Sequence, residues 1–159
     1  SWQYDVTAAG YKYNLPDVLA AIGREQLKKA HAMHARRVAI AKQYRQGFGA
    51  CDFLDLPPHA PSHSYHLFQI RINPEKLKIG RDDFIAALQA KGIGVSVHYI
   101  PLHTMSYYRK MDHYQPQDLP AALNWFERCI SLPIYPDLSD KEVSRIIEAV
   151  IGTGQNHHV

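Results

Sequence analysis

Asn14-Leu15-Pro16-Asp17-Val18-Leu19-Ala20-Ala21-Ile22-Gly23 opens the stretch that decides how this chain is built. Asn14 can cap a helix, Pro16 suits a first turn where its missing N–H costs nothing, and Asp17 faces the positive end of the helix dipole. Apolar residues recur at Leu15, Val18, Leu19, Ile22 and Leu27, and Met33, Ile40 and Tyr44 continue at helical spacing. No proline interrupts before Pro57, and Gly47 and Gly49 supply a stop. The spacing predicts a helix of roughly 30 residues, about 45 Å long at 1.5 Å per residue, either continuous or broken near Gly23 or Ala30. That is long for a chain of 159 residues. It suggests a connector between two bodies; the other reading is an edge helix of a small bundle.

Outward from this helix the pattern changes. After the turn Leu56-Pro57-Pro58-His59-Ala60-Pro61, residues 66–72 alternate apolar and polar as a half-buried strand does, ending at Asn73-Pro74. Residues 81–92 form an amphipathic helix with Phe84, Ile85 and Leu88 on one face and Gly92 as cap. Residues 95–100 read as a second strand closed by Pro101, 119–130 as another helix, and 132–135 as a short extended piece. Ser139-Asp140-Lys141-Glu142 is a capping box opening a last helix through Val143, Ile146, Ile147 and Val150. The predicted fold class is therefore α+β: a long connector helix, then a small three-stranded sheet with helices on one face. Residues 1–50 hold the connection and connector helix, 51–154 the small domain, and 155–159 a flexible tail.

Composition narrows the function classes. A formal charge of +3 is mild, and basic residues are scattered among acidic ones, unlike the basic stripe of a nucleic-acid binder. Cys51 and Cys129 lie far apart with no C-x-x-C spacing and read as packed thiols of a reducing cytoplasm, not as a zinc site or a disulfide. No apolar run approaches the roughly 20 residues needed to cross a bilayer. Ser1-Trp2-Gln3-Tyr4-Asp5 lacks an initiator Met and a signal-peptide pattern, and reads as an internal point of a longer chain.

Few residues offer chemistry. His98 and His103 flank Tyr99-Ile100-Pro101-Leu102 at a strand end, but their spacing matches no zinc motif, and a lone strand histidine is commonly a packing residue. His31, His34, His157 and His158 read as solvated surface. There is no nucleophile elbow and no glycine-rich phosphate loop. Asp82, Asp83 and Glu127 look like helix-start and helix-surface carboxylates. Tyr107 and Tyr108, with Tyr114 beyond, could stack a ring or pack over a core edge. Ala9-Gly10-Tyr11-Lys12-Tyr13-Asn14-Leu15 places a glycine, aromatics, a lysine and an amide at a helix N-terminus. That combination suits an anion and equally suits simple capping by Asn14.

Several motifs then line up in one order. Gly10-Tyr11-Lys12-Tyr13-Asn14-Leu15 with Asp17-Val18 and Ala20-Ala21-Ile22 resembles the GYNYRM-x-D-x-x-AAI stretch of the DegT/DnrJ/StrS aminotransferases. Gln26-Leu27, Arg36-Arg37 and Ile40-Ala41 match the helix that follows it. His66-Leu67-Phe68, Gly92-Ile93-Gly94-Val95-Ser96-Val97-His98-Tyr99 with Pro101 and His103, Tyr107-Tyr108-Arg109 and Ser131-Leu132-Pro133-Ile134-Tyr135-Pro136 follow in the family's order. The likeness runs from about Tyr4 to Gly152, and the lysine-containing version looks most like the branch making 4-amino-4-deoxy-L-arabinose on UDP for lipid A.

The resemblance implies the C-terminal domain of a fold-type-I pyridoxal phosphate (PLP) transferase, a cytoplasmic homodimer with active sites at the subunit interface. It implies amino transfer from glutamate to a keto-sugar nucleotide, in amino-sugar, surface polysaccharide or lipid A biosynthesis, with no nucleic acid and no membrane insertion. The Schiff-base lysine would lie upstream, so this chain would carry no catalytic residue and would be inactive without the large domain. By position, Tyr11, Lys12 and Asn14 would touch the cofactor phosphate across the dimer, Lys12 standing where the family has Asn and Asn14 where it has Arg. His98, Tyr99 and His103 would contact substrate, and no metal is implied. A stand-alone ligand-binding or interaction module derived from the family is the alternative.

Overall fold

The computed structural model describes residues 2–11, 14–60, 62–112 and 114–159, with Asp112 by its backbone alone. Helix α1 (Asp17–Phe48) runs unbroken for 32 residues, about 48 Å. Neither Gly23 nor Ala30 interrupts it. Its N-cap is Pro16, with extended backbone and no side-chain cap, so Asn14 does not cap the helix as its sequence suggests. Gly49 is the C-cap.

Three short antiparallel strands follow the order β1 (Leu54–Asp55), β2 (Phe68–Ile72), β3 (Cys129–Leu132), with β2 central. The register sets Phe68 opposite Leu132 and Ile70 opposite Ile130, so these four side chains share one face. Tyr44 and Phe48 of α1, Phe84 and Leu88 of α2 (Arg81–Ala90), and Val143 and Val150 of α5 (Asp140–Asn156) belong to the same buried cluster. Tyr44 is tilted 5.0 Å from Phe68 and donates its hydroxyl to the Pro133 carbonyl at 2.7 Å. Each such large apolar side chain contributes about 1.5–3 kcal/mol by leaving water.

The opposite face of the sheet is polar: Gln69 and Arg71 of β2 lie across from Ser131 and Cys129. Helix α4 (Pro120–Arg128) reaches this face through Trp125, over which the Arg71 guanidinium sits at 4.2 Å. Arg71 and Arg128 both approach Asp55, at 3.6 and 3.5 Å.

The strands differ from those the sequence predicts. Residues 95–100 are not a ladder strand, because only Ser96 pairs, in an isolated bridge to Ser131. Beyond it the His98 carbonyl is taken by the Gln69 side chain rather than by a neighbouring strand. The last strand comes earlier than 132–135. Cys129 and Ile130, expected at the end of a helix, pair with Arg71 and Ile70 once α4 stops at Arg128. Tyr107 and Tyr108 lie in a short helix, α3 (Ser106–Asp112), with rings edge to face at 5.3 Å.

Turns fix the remaining joints. Gly92 follows α2 with φ of +71°, a left-handed position that favours glycine. Ser139 and Glu142 form the expected capping box at the start of α5. Residues 155–159, expected as a flexible tail, are tied down instead. The Lys78 N–H donates to the His157 carbonyl at 2.8 Å, the Val159 N–H to the Lys76 carbonyl at 3.1 Å, and His158 Nε2 meets Asp52 at 3.0 Å. Among the described residues no helix is long and apolar enough to cross a membrane.

Candidate functional site

The N-terminal segment is clamped where it first meets the domain. The buried Arg81 guanidinium lies 4.5 Å from the Trp2 ring and 4.9 Å from Phe126. Asp5 accepts from the Ser106 N–H at 2.7 Å and from the Ser106 hydroxyl. Those bonds hold the Asp5 carboxyl below the usual carboxylate range. The Tyr107 N–H donates to the Val6 carbonyl. Beyond this clamp Tyr11 is 89% exposed and Asn14 is exposed. Lys12, expected beside them, lies outside the described residues. Among the described residues no side chain caps α1 at Pro16. A carboxamide, a phenol and the amides at the positive end of a helix are each donors of a kind that suits a phosphate.

A second constellation lies on the polar face of the sheet. His98 hangs from the bridge Ser96 makes to Ser131, and its Nδ1 is 2.9 Å from the Ser131 hydroxyl. The Gln69 amide nitrogen donates to the His98 carbonyl and lies 3.4 Å from the Cys129 sulfur. Ring and main chain of His98 are thus held by two neighbouring strands. Burial, reinforced by the nearby His66, pushes the His98 ring below its ordinary value, which favours the neutral form. Burial also pushes the Cys129 thiol up, away from reactivity. His98, His66, Ser96 and Ser131 line a groove of about 240 Å³ whose other wall is Leu132, Pro133 and Ile134.

Of the predicted substrate residues, the structure brings His98 and Tyr99 together. Tyr99 is 60% exposed and its ring stands edge-on to His98 at 4.8 Å. His103 is buried and does not line the groove. Its Nε2 donates to the Pro116 carbonyl at 3.0 Å, which ties the turn after Pro101 to the turn before α4. Sequence reasoning missed Gln69 and Ser131. The signal for Gln69 was its place on the polar side of an alternating strand, and for Ser131 a hydroxyl inside an apolar run.

The family model for the DegT/DnrJ/EryC1/StrS aminotransferases matches residues 1–151. The chain belongs to that family. Among relatives, the spore coat polysaccharide biosynthesis protein SpsC of Bacillus subtilis is 40% identical over 94% of this chain and 39% of its own length. Among solved structures, the PLP form of Spr1654 from Streptococcus pneumoniae superposes with a TM-score of 0.82 at 31% identity, covering 98% of this chain and 40% of its own. PseC of Helicobacter pylori, an aminotransferase of pseudaminic acid biosynthesis, gives a TM-score of 0.82 at 25% identity over 96% of this chain and 41% of its own. The chain therefore spans about two-fifths of the length of the curated relatives it matches. The long helix and three-stranded sheet form a mixed α+β body that superposes on part of those solved aminotransferase structures.

Proposed function

We propose that this chain is the C-terminal portion of a PLP-dependent aminotransferase that moves an amino group from glutamate to a keto-sugar nucleotide, for surface polysaccharide or lipid A biosynthesis. The observation that carries the reading is the full-length likeness to sugar aminotransferases whose own chains extend well beyond it. In this reading PLP, when bound, supplies the electron sink for the transfer. Tyr11, Lys12 and Asn14 lie on the phosphate side, contributed across a homodimer. His98 and Tyr99 hold the nucleotide-linked sugar, and His103 braces the loop that carries them. None of them is asked to move the reacting proton. The Schiff-base lysine that moves it belongs to the large domain, and the protein works in the cytoplasm.

A stand-alone module accounts less well for helix α1. Leu15, Val18, Leu19, Ile22 and Leu27 are all at least 50% exposed, an apolar stripe that a self-sufficient domain would cover. The decisive experiment treats the purified chain with PLP and borohydride and maps any pyridoxylated lysine by mass spectrometry. No single lysine is expected to be labelled above background. Stoichiometric labelling of one lysine would sink the assignment of that role to the large domain.

A further inference from the structure

Ser131 sits at the centre of the polar face and is 4% exposed. Its main chain is fully engaged, the N–H donating to Ser96 at 2.7 Å and the carbonyl accepting from Ser96 at 3.2 Å. Its hydroxyl has one proton to give. Among the described residues the group within hydrogen-bond range of that hydroxyl is His98 Nδ1, at 2.9 Å. A buried hydroxyl proton without an acceptor is costly, so it goes to Nδ1. Nδ1 then accepts, and the ring proton of the neutral imidazole must sit on Nε2. Gln69, directly opposite Ser131 in register, fixes the main chain of the same histidine through its carbonyl. His103 shows the contrast, because its Nε2–H is already given to a carbonyl.

We infer that Ser131 is a positioning residue: its hydroxyl locks His98 as the Nε2–H tautomer, leaving one N–H donor to meet an oxygen of the nucleotide-linked sugar in the groove. The identity of that acceptor rests on the proposed function, whereas the tautomer does not. The arrangement makes His98 a donor that reads an oxygen acceptor and not a base that removes a proton. Replacing Ser131 leaves the ring free to exchange tautomers, so part of its population would present a lone pair where a donor is needed.

The test uses the intact protein carrying this chain, labelled with 15N-histidine. Two-bond nitrogen–proton spectra report the tautomer, and the His98→Gln spectrum identifies the His98 signals. The expected result is Nε2–H in the unmodified protein, a tautomer mixture in Ser131→Ala, and recovery in Ser131→Thr. An Nδ1–H signal for His98 in the unmodified protein would overturn the inference without any variant. An unchanged signal in Ser131→Ala would overturn it too. Binding of UDP-glucose and dTDP-glucose is measured on the same samples. Ser131→Ala is expected to weaken whichever binds by between about twofold and tenfold, the worth of one hydrogen bond. If His98→Gln leaves that binding unchanged while the tautomer stands, the substrate contact falls and the positioning role of Ser131 does not.

Discussion

His158 and Asp52 show how one pair of side chains converts a chain end into a fastened one. Hydrogen bonding to Asp52 raises the His158 ring above its ordinary value of 6.5, and the same bond lowers Asp52 from 3.8. A histidine with a raised folded value stabilises fully below about 6.5 and loses that contribution as pH climbs through its folded value. A carboxylate with a lowered value contributes above about 3.8 and loses it as pH falls. The fastening is therefore strongest between those limits. Protection of the Val159 amide against hydrogen exchange, corrected for intrinsic rate, is expected to be higher near about pH 5 than near about pH 8. Asp52→Asn should remove that difference, and an equal protection in the parent protein at both values would contradict it. At this scale the sequence spoke unevenly. His98 was visible as a strand-end histidine, but its two holders were not. In sequence Gln69 is an ordinary solvent-side residue of an alternating strand, and its bond to the His98 carbonyl joins residues separated by 29 positions. His158 reads as solvated surface in the sequence because Asp52 lies 106 positions away.

Helix α1 divides into a held half and a free half. Ile40, Ala41, Tyr44 and Phe48 are buried, whereas Leu27 is 72% exposed. Truncating Phe48 to Ala should cost about 3–5 kcal/mol by leaving a cavity between α1 and the sheet. Truncating Leu27 to Ala should change the stability of the domain by less than about 0.5 kcal/mol. Urea unfolding of the two variants checks the contrast; equal losses would mean that the outer half is packed within this domain. The helix itself was legible because its apolar period runs without proline across it, and α2 and α5 were legible from period and caps. Short strands were not. Two residues, Leu54 and Asp55, carry no period, and their pairing with Ile72 and Arg71 is decided by the fold around them. Cys129 and Ile130 continue the apolar rhythm of α4, so only strand pairing tells where that helix ends.

Across the whole molecule, the apolar core and the apolar stripe on α1 are separate surfaces. The core is closed by α1, α2, α5 and the sheet, while the stripe lies outside that core and is exposed among the described residues. An isolated chain with that stripe should self-associate. Val18→Lys combined with Ile22→Lys should make it monomeric at the same concentration in sedimentation experiments, with the fold kept. A parent chain already monomeric at high concentration would show that the stripe needs no cover. The α+β class was readable from element order alone. What sequence could not reveal was the polar face of the sheet, because that face is assembled from β2, β3 and the stretch around His98.

One end of α1 is gripped and, among the described residues, the other is not, which makes it a cantilever. From its first firm ties, His34 to the His63 carbonyl and Arg36 to Asp140, the rod projects back to Asp17, a reach of about 26 Å. A tilt of about 5° at the grip would swing its tip by about 2 Å, more than a hydrogen bond can follow. The aim of Asn14 at the tip is thus set less by the domain that anchors the rod than by whatever clasps its outer turns.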